Sequence, residues 1–320
     1  MPSPSPSPSP SPSPSPSPSP SPSPSPRYGE GDPPLGSGAA EVTSVGGTDG
    51  LPTRIVPLTL GWELVPRSVS VFGDTSGLVL CEPVPGVLIE TPAGWVLLDT
   101  GYNTALIWDP VLAARFHGRG PVPILPGTGD PLEQACRAAG VAFDDIILVA
   151  VSHLHFDHAG GLKHFAGRST TVAVQARELD YGLDAPHPVA ERNGIWRIDF
   201  DDPNLRWRTL DGDTTLVAGI TAVSTPGHTL GHQSFLVELD SDVGGGGYAF
   251  AFDAADLTVN LVDELSPGGL VDATPQTAIA SIRRFKELAL SRSFTMVPGH
   301  DPDAWPELTR LLGGVALPPR

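Results

Sequence analysis

Residues His153-Leu154-His155-Phe156-Asp157-His158 put four side chains able to ligate a metal into six positions. Neutral imidazole and carboxylate together suit zinc and similar divalent ions. Nine histidines occur in 320 residues and three fall in this one stretch, which argues against an incidental polar loop. His153, His155 and Asp157 alternate, so an extended backbone would turn their side chains to one face. His158 breaks that period and has to be brought round by the loop.

A metal cluster needs more donors than one loop can orient, and later segments supply them. The apolar run Ile146 to Val151, bounded by Asp144-Asp145 and Ser152, reads as a buried strand that delivers the histidine stretch. The alternating Ile220-Thr221-Ala222-Val223-Ser224 leads in the same way into Thr225-Pro226-Gly227-His228-Thr229-Leu230-Gly231-His232. Phe250-Ala251-Phe252 runs into Asp253, and Phe294-Thr295-Met296-Val297 runs into Pro298-Gly299-His300-Asp301. Polar candidates thus recur at strand ends, where loops on a rigid scaffold build sites.

Helices fall between and after these strands. Asp130-Pro131 opens one that Gly140 stops after Ala139. Thr274-Pro275 opens another through about Leu290, with Ile279, Ile282 and Phe285 on one stripe. Pro306 to Leu312 reads as a short final helix, and Gly244 to Gly247 as a hairpin loop. Strands dominate residues 55 to 99 and 206 to 254. Two strand-rich halves with such helices predict an α+β fold, two sheets face to face with helices outside, a four-layer αββα sandwich.

The string Ser152 to Gly161, the segment Thr225 to Ser234, Asp253 and Pro298-Gly299-His300 resemble the metallo-β-lactamase superfamily. Within it they look most like the N-acyl-homoserine lactonases, the quorum-quenching lactonases. The likeness extends to Leu97-Leu98-Asp99-Thr100-Gly101, Asp211-Gly212-Asp213 and Val217-Ala218-Gly219, and covers roughly residues 55 to 312. It implies the same αββα sandwich. It also implies His153, His155 and His228 on one zinc, Asp157, His158 and His300 on a second, and Asp253 bridging the two. Seven N and O ligands are too many for one tetrahedral zinc and suit two ions sharing a carboxylate. Other divalent metals fit the same donors.

The activity implied is that of a metal-dependent hydrolase, opening the lactone ring of N-acyl-homoserine lactones by attack of a metal-bridging hydroxide. Asp157 would serve mainly as a ligand, with a part in shuttling the proton. A thioester, β-lactam or phosphoester is the alternative substrate on the same fold. No nucleophile-elbow sequence supplies a catalytic serine.

One position departs from the lactonase pattern. The third residue after the bridging Asp is commonly a Tyr that contacts the substrate carbonyl, and here it is Asp256, a second candidate catalytic residue beside Asp157. An ionised carboxylate cannot donate that hydrogen bond. Asp253 and Asp256 also leave two registers open for the bridging ligand, of which Asp253 is favoured because it follows the strand directly. Asp99 resembles the family's buried Asp that orients ligand groups. His232 is expected to pack under the metal loop, and His117, His164 and His187 to be surface or loop histidines. Trp108, Phe116 and Tyr181 are candidates for a pocket wall.

Charge and composition bound the partners. A formal net charge of −17 argues against nucleic acid, whose affinity comes from Lys and Arg on phosphates. A small-molecule ester or lactone is the expected partner. No run of about 18 apolar residues suggests a membrane span. Cys81 and Cys136 lie apart from the motifs, arguing against a thiolate-ligated centre. Two isolated cysteines fit a reducing compartment, here the cytoplasm. Residues 1–50 are expected to be a disordered tail, strict Pro-Ser alternation to Pro26 followed by a glycine-rich stretch, and residues 51–320 the hydrolase domain.

Overall fold

Apolar neighbours along the central strands face different cores. Val96 and Leu98 join one buried cluster while Leu97 joins another, and Leu148 and Ala150 are divided from Val149 and Val151 in the same way. A strand that alternates between two apolar environments must be covered on both faces. The protein, as a computed structural model, describes Met1 and residues 50–118, 120–127 and 129–317. The tail expected over residues 1–50 lies almost entirely outside the described residues.

The first sheet is built from β1 (Arg54–Pro66), β2 (Val79–Thr91), β3 (Gly94–Leu98), β4 (Val122–Ile124), β5 (Ile146–Ala150), β6 (Thr171–Gln175) and β7 (Arg206–Leu210). The second holds β8 (Thr214–Val217), β9 (Ile220–Ser224), β10 (Gln233–Glu238), β11 (Gly247–Phe250) and β12 (Thr295–Val297). The last strand, β13 (Val315–Ala316), returns to the first sheet. The order is β13-β1-β2-β3-β5-β6-β7, with β4 also pairing β1, and β12-β11-β10-β9-β8.

Side chains from both sheets meet in the central core, where Val87, Ile89, Leu98 and Leu148 pack with Ile220, Phe235, Val237 and Phe250. The outer face of the first sheet is covered by the helix Pro131–Ala139 through Leu132, Ala135 and Cys136. The outer face of the second is covered by the helix Pro275–Ser291 through Ile282, Phe285 and Ala289. These layers are helix, sheet, sheet, helix, the αββα sandwich expected. Among the described residues no helix is long and apolar enough to cross a membrane.

Strand direction gathers the loops that matter. β3 and β5 are parallel. β9 and β11 each run antiparallel to β10, and β12 runs parallel to β11. Within each sheet, the strands leading to Asp99, to His153, to His228, to Asp253 and to His300 therefore end on one edge.

The helix Pro131–Ala139 begins where the sequence predicts. Asp130 accepts hydrogen bonds from the Leu132 and Glu133 amides at 3.1 and 3.3 Å, and Gly140 closes the helix in the left-handed conformation. Burial alone would raise the Asp130 pKa, but the nearby His164 and Lys163 outweigh it and hold the group at about 2. That value lies below the ordinary 3.8, so the stabilisation is present above pH 3.8 and fades as pH falls through about 2. Asp130→Ala is expected to lower unfolding free energy by about 1–2 kcal/mol near neutral pH, read by denaturant titration. The final helix runs Ala304–Leu311, two residues earlier than its proline suggests, because the Asp301 carboxylate takes the Asp303 and Ala304 amides at 2.9 and 2.8 Å.

Candidate metal centre

β5 ends at Ala150, the chain bends at Ser152, and His155 is extended again at φ −66° and ψ 154°, bridging to Ile195. A four-residue helix, Phe156–Ala159, then begins. His153 and His155 turn their rings to one place as expected, 2.9 Å apart, whereas Asp157 does not continue their alternation. The helical turn carries Asp157 and His158 together to a neighbouring position. The loop between β9 and β10 closes on itself, with the Thr225 amide bonded to the His232 carbonyl and the Gly227 amide to the Thr229 carbonyl, both at 2.9 Å. This closure projects His228.

β11 ends at Phe250, earlier than the apolar pattern suggests, and a 3-10 turn Phe252–Ala254 follows. Phe252 adopts a left-handed φ of 47°. This conformation is uncommon for a bulky side chain, and it turns Asp253 into the site. The His300 amide bonds the Asp256 carbonyl at 2.8 Å, fixing the β12 loop against the same turn.

These loops bring together all seven residues that the sequence nominates as ligands. His155 Nδ1 lies 2.9 Å from both His153 Nε2 and His228 Nε2. Asp253 Oδ2 sits 3.3 Å from His228 Nε2 and 3.7 Å from His153 Nε2. The other carboxylate oxygen, Asp253 Oδ1, faces a second group, 3.0 Å from His300 Nε2 and 3.2 Å from His158 Nε2. Asp157 Oδ2 is 3.2 Å from the same His158 nitrogen. Of the two carboxylates in the β11 loop, Asp253 thus lies between the groups, and Asp256 stands to one side.

Three imidazole nitrogens converging within hydrogen-bond distance cannot all satisfy one another with protons. A cation at their centre uses every lone pair at once. Each group offers four donors if Asp253 is shared, the number a tetrahedral zinc takes.

Contacts behind the rings aim the lone pairs inward. Asp99 accepts from the Ser152 amide at 2.6 Å, the Ser152 hydroxyl at 2.7 Å and His158 Nδ1–H at 2.7 Å. His153 Nδ1–H donates to Ser152 Oγ at 2.9 Å, and His300 Nδ1–H to the Pro83 carbonyl at 2.9 Å. These bonds fix the tautomers that leave Nε2 unprotonated toward the site.

Burial, with the other imidazoles adding to it, pushes the His153 and His228 pKa values well below the ordinary range. Burial works against charge on His158 and His300 too, but Asp253 and Asp157, joined at His158 by Asp99, outweigh it and raise both. Burial opposes ionisation of Asp253 as well, and the positive charge on His158 and His300 overcomes it. The site calls for positive charge, which these two histidines supply as protons when no metal ion does.

His232 is fully buried with Nδ1 2.9 Å from Thr225 Oγ1, and its ring packs 5.2 Å from that of His153. Burial lowers its pKa from 6.5 to about 3. A depressed histidine stabilises the fold above pH 6.5 and loses that contribution as pH falls toward 3. His232→Gln is therefore expected to flatten part of the decline in stability between those pH values, measured as denaturant midpoints across the range.

Other residues were not legible as site components. Glu178, wholly buried, accepts from the Leu154 amide at 3.0 Å and the Gly231 amide at 2.9 Å, tying together the two histidine loops. A Cβ on Gly231 would stand 2.3 Å from the Glu178 amide, so the strap requires glycine there. A cavity of about 340 Å³ opens onto the centre, lined among others by Asp157, Asp253 and Asp256. Phe116 lines it as expected, but Trp108 and Tyr181 do not. Trp108 is exposed and Tyr181 borders a separate groove.

His117, expected at the surface, is half-buried in the cavity wall, edge-on to Phe156 and Trp196. His164 pairs with Asp130 at 3.0 Å, and His187 is exposed at the start of a helix. Glu63 and Glu82 also line the cavity, and their ligand atoms fall within 4.8 Å of each other and of His300. Burial and the Asp157 charge push the Glu63 pKa up to about 8, burial raises Glu82, and burial with Asp253 raises Asp256 well above the carboxylate range.

Residues 80–300 match the family described as the metallo-beta-lactamase superfamily. The chain is 34% identical over 241 residues to the N-acyl homoserine lactonase AttM of Azorhizobium caulinodans, covering 72% of this chain and 86% of that protein. It is 30% identical over 227 residues to the N-acyl homoserine lactonase AiiA of Bacillus thuringiensis subsp. kurstaki, covering 71% and 84%. Among solved structures it is similar to an N-acyl homoserine lactone hydrolase with the product N-hexanoyl-L-homoserine at its catalytic metal center. That match has a TM-score of 0.68 and 28% identity, over 79% of this chain and 95% of the other.

Proposed function

Because the chain belongs to the metallo-β-lactamase superfamily, we propose that it is a dinuclear zinc hydrolase that opens the lactone ring of N-acyl-homoserine lactones. One observation carries this reading. The two oxygens of Asp253 face two separate sets of donors, His153-His155-His228 and Asp157-His158-His300. The names of the similar proteins supply the substrate class.

When bound, two zinc ions would polarise the ester carbonyl and bring the pKa of water from ~15.7 to about 7. The chain's own groups orient and exchange protons. Asp99 and the Pro83 carbonyl hold His158 and His300 in register. Asp157, at the cavity wall, would take a proton on the carboxylate oxygen not committed to the donor set and return it to the departing alkoxide. Burial and Asp253 raise the Asp256 pKa well above the ordinary carboxylate range, and in its protonated form the carboxyl O–H would donate to the ring carbonyl in place of a phenol. Phe116, Phe156 and Trp196 supply apolar surface to the same cavity. Cys81 and Cys136 are both free thiols, which supports a cytoplasmic setting.

Acid release from N-hexanoyl-homoserine lactone by zinc-loaded protein tests the proposal. Ring opening with kcat/KM of about 10⁴ M⁻¹s⁻¹ or more is expected. An intact lactone, alongside cleavage of nitrocefin, a thioester or a phosphodiester, would reassign the substrate.

A further inference from the structure

One wall of the cavity is built from rings. Phe156 stacks on Trp196 with centroids 4.3 Å apart, Phe116 lies 5.0 Å from Trp196, and all three line the space beside Asp157. His117 stands edge-on in this wall, 4.8 Å from Trp196 and 5.5 Å from Phe156. Its neighbours' polar groups are engaged: Trp196 Nε1–H donates to the Glu191 carbonyl, the Asn193 amide to the Tyr181 hydroxyl, and the Glu191 carboxylate pairs with Arg115. His117 is not. Nδ1 is buried without a hydrogen-bond partner, and Nε2, which stays accessible, has none among the described residues either. A polar group left unpaired in a cavity wall marks a missing ligand, since packing alone would be served as well by a phenyl ring.

We propose that His117 selects lactones whose acyl chain carries an oxygen close to the amide, by donating Nε2–H to that oxygen. The inference rests on the lactone reading above for its substrate class, and on the aromatic wall for the chain. Burial pushes the His117 pKa down to about 4, so the ring is neutral at physiological pH, with one N–H and one lone pair. A proton on the buried Nδ1 would be a donor with no acceptor, which places it on Nε2. Phe156, Trp196 and Phe116 around the ring suit methylene groups, so the acceptor it meets belongs to the chain. Phe156 directly precedes the ligand Asp157, which sets that oxygen near the amide end. A few polar groups in an apolar cavity commonly decide which ligand fits, and a plain alkyl chain would leave this one unpaired.

The test uses zinc-loaded protein and two lactams that a lactonase cannot open, 3-aminopyrrolidin-2-one acylated with a hexanoyl or with a 3-oxohexanoyl group, compared by calorimetry. The oxo compound is expected to bind about fivefold or more tightly, the worth of one neutral hydrogen bond. His117→Phe and His117→Leu, made separately so that a folding failure in one leaves the other informative, are expected to bring that ratio below about twofold. A residue that merely packs would alter both affinities together and leave their ratio in place. Equal affinities in the unaltered protein, no binding of either lactam, or a ratio that survives both substitutions would overturn the proposal. Preference for the oxo lactam in protein that opens no lactone would leave the His117 contact standing and refute the lactonase reading alone.

Discussion

Asp253→Asn is expected to lower kcat/KM by about a thousandfold or more and to reduce bound metal below two ions per chain, without unfolding the protein. Asn keeps the size of Asp but removes the charge and one of the two oxygens. Both losses fall on the contacts that divide the donor sets, 3.3 Å to His228 on one side and 3.0 Å to His300 on the other. Substituting any single histidine disturbs one set, whereas this change disturbs both. Steady-state hydrolysis and metal content measured on the same preparation check it. Activity within tenfold of the unaltered protein would show that the carboxylate does not join the two groups.

Asp99→Asn is expected to weaken metal binding by about 10- to 100-fold although Asp99 stands outside both donor sets. Asp99 sits at φ 55°, a left-handed conformation that Asn tolerates, so the substitution isolates charge from backbone strain. It accepts three hydrogen bonds, one of them from His158 Nδ1–H. An amide N–H presented to that ring favours the tautomer with its proton on Nε2, which removes the lone pair facing the centre. Competition with a chromophoric chelator measures the change. Unaltered affinity would reduce Asp99 to a turn residue.

The legible part of this protein was whatever its local sequence pattern encodes. The strand ends could be read because apolar runs stop at Ser, Thr, Pro or Asp, and His153 to His158 because four donors stand side by side. The choice between Asp253 and Asp256 could be reasoned, but the feature that separates them, a left-handed Phe252 opening a 3-10 turn, has no signature in the letters. Asp157 left its expected alternation because a helix starts immediately after His155.

Glu178, Glu63 and Glu82 were invisible for a different reason. Each is a lone acidic residue in a helix or strand, and its role depends on burial and on partners remote in sequence. Glu178 straps amides 24 and 53 residues away, and Glu63 meets a hydroxyl 39 residues away. His117 follows the helix Pro110–Phe116, whose packing against Trp196 through Phe116 carries it into the cavity wall. Only the tertiary arrangement supplies those contacts.

Elemental analysis of the purified protein, after gel filtration removes loosely held ions, tests the dinuclear centre most directly. Two divalent ions per chain are expected, zinc foremost, falling in the His155→Ala variant. A value of one or fewer in protein supplied with excess zinc would contradict a centre built from these seven residues.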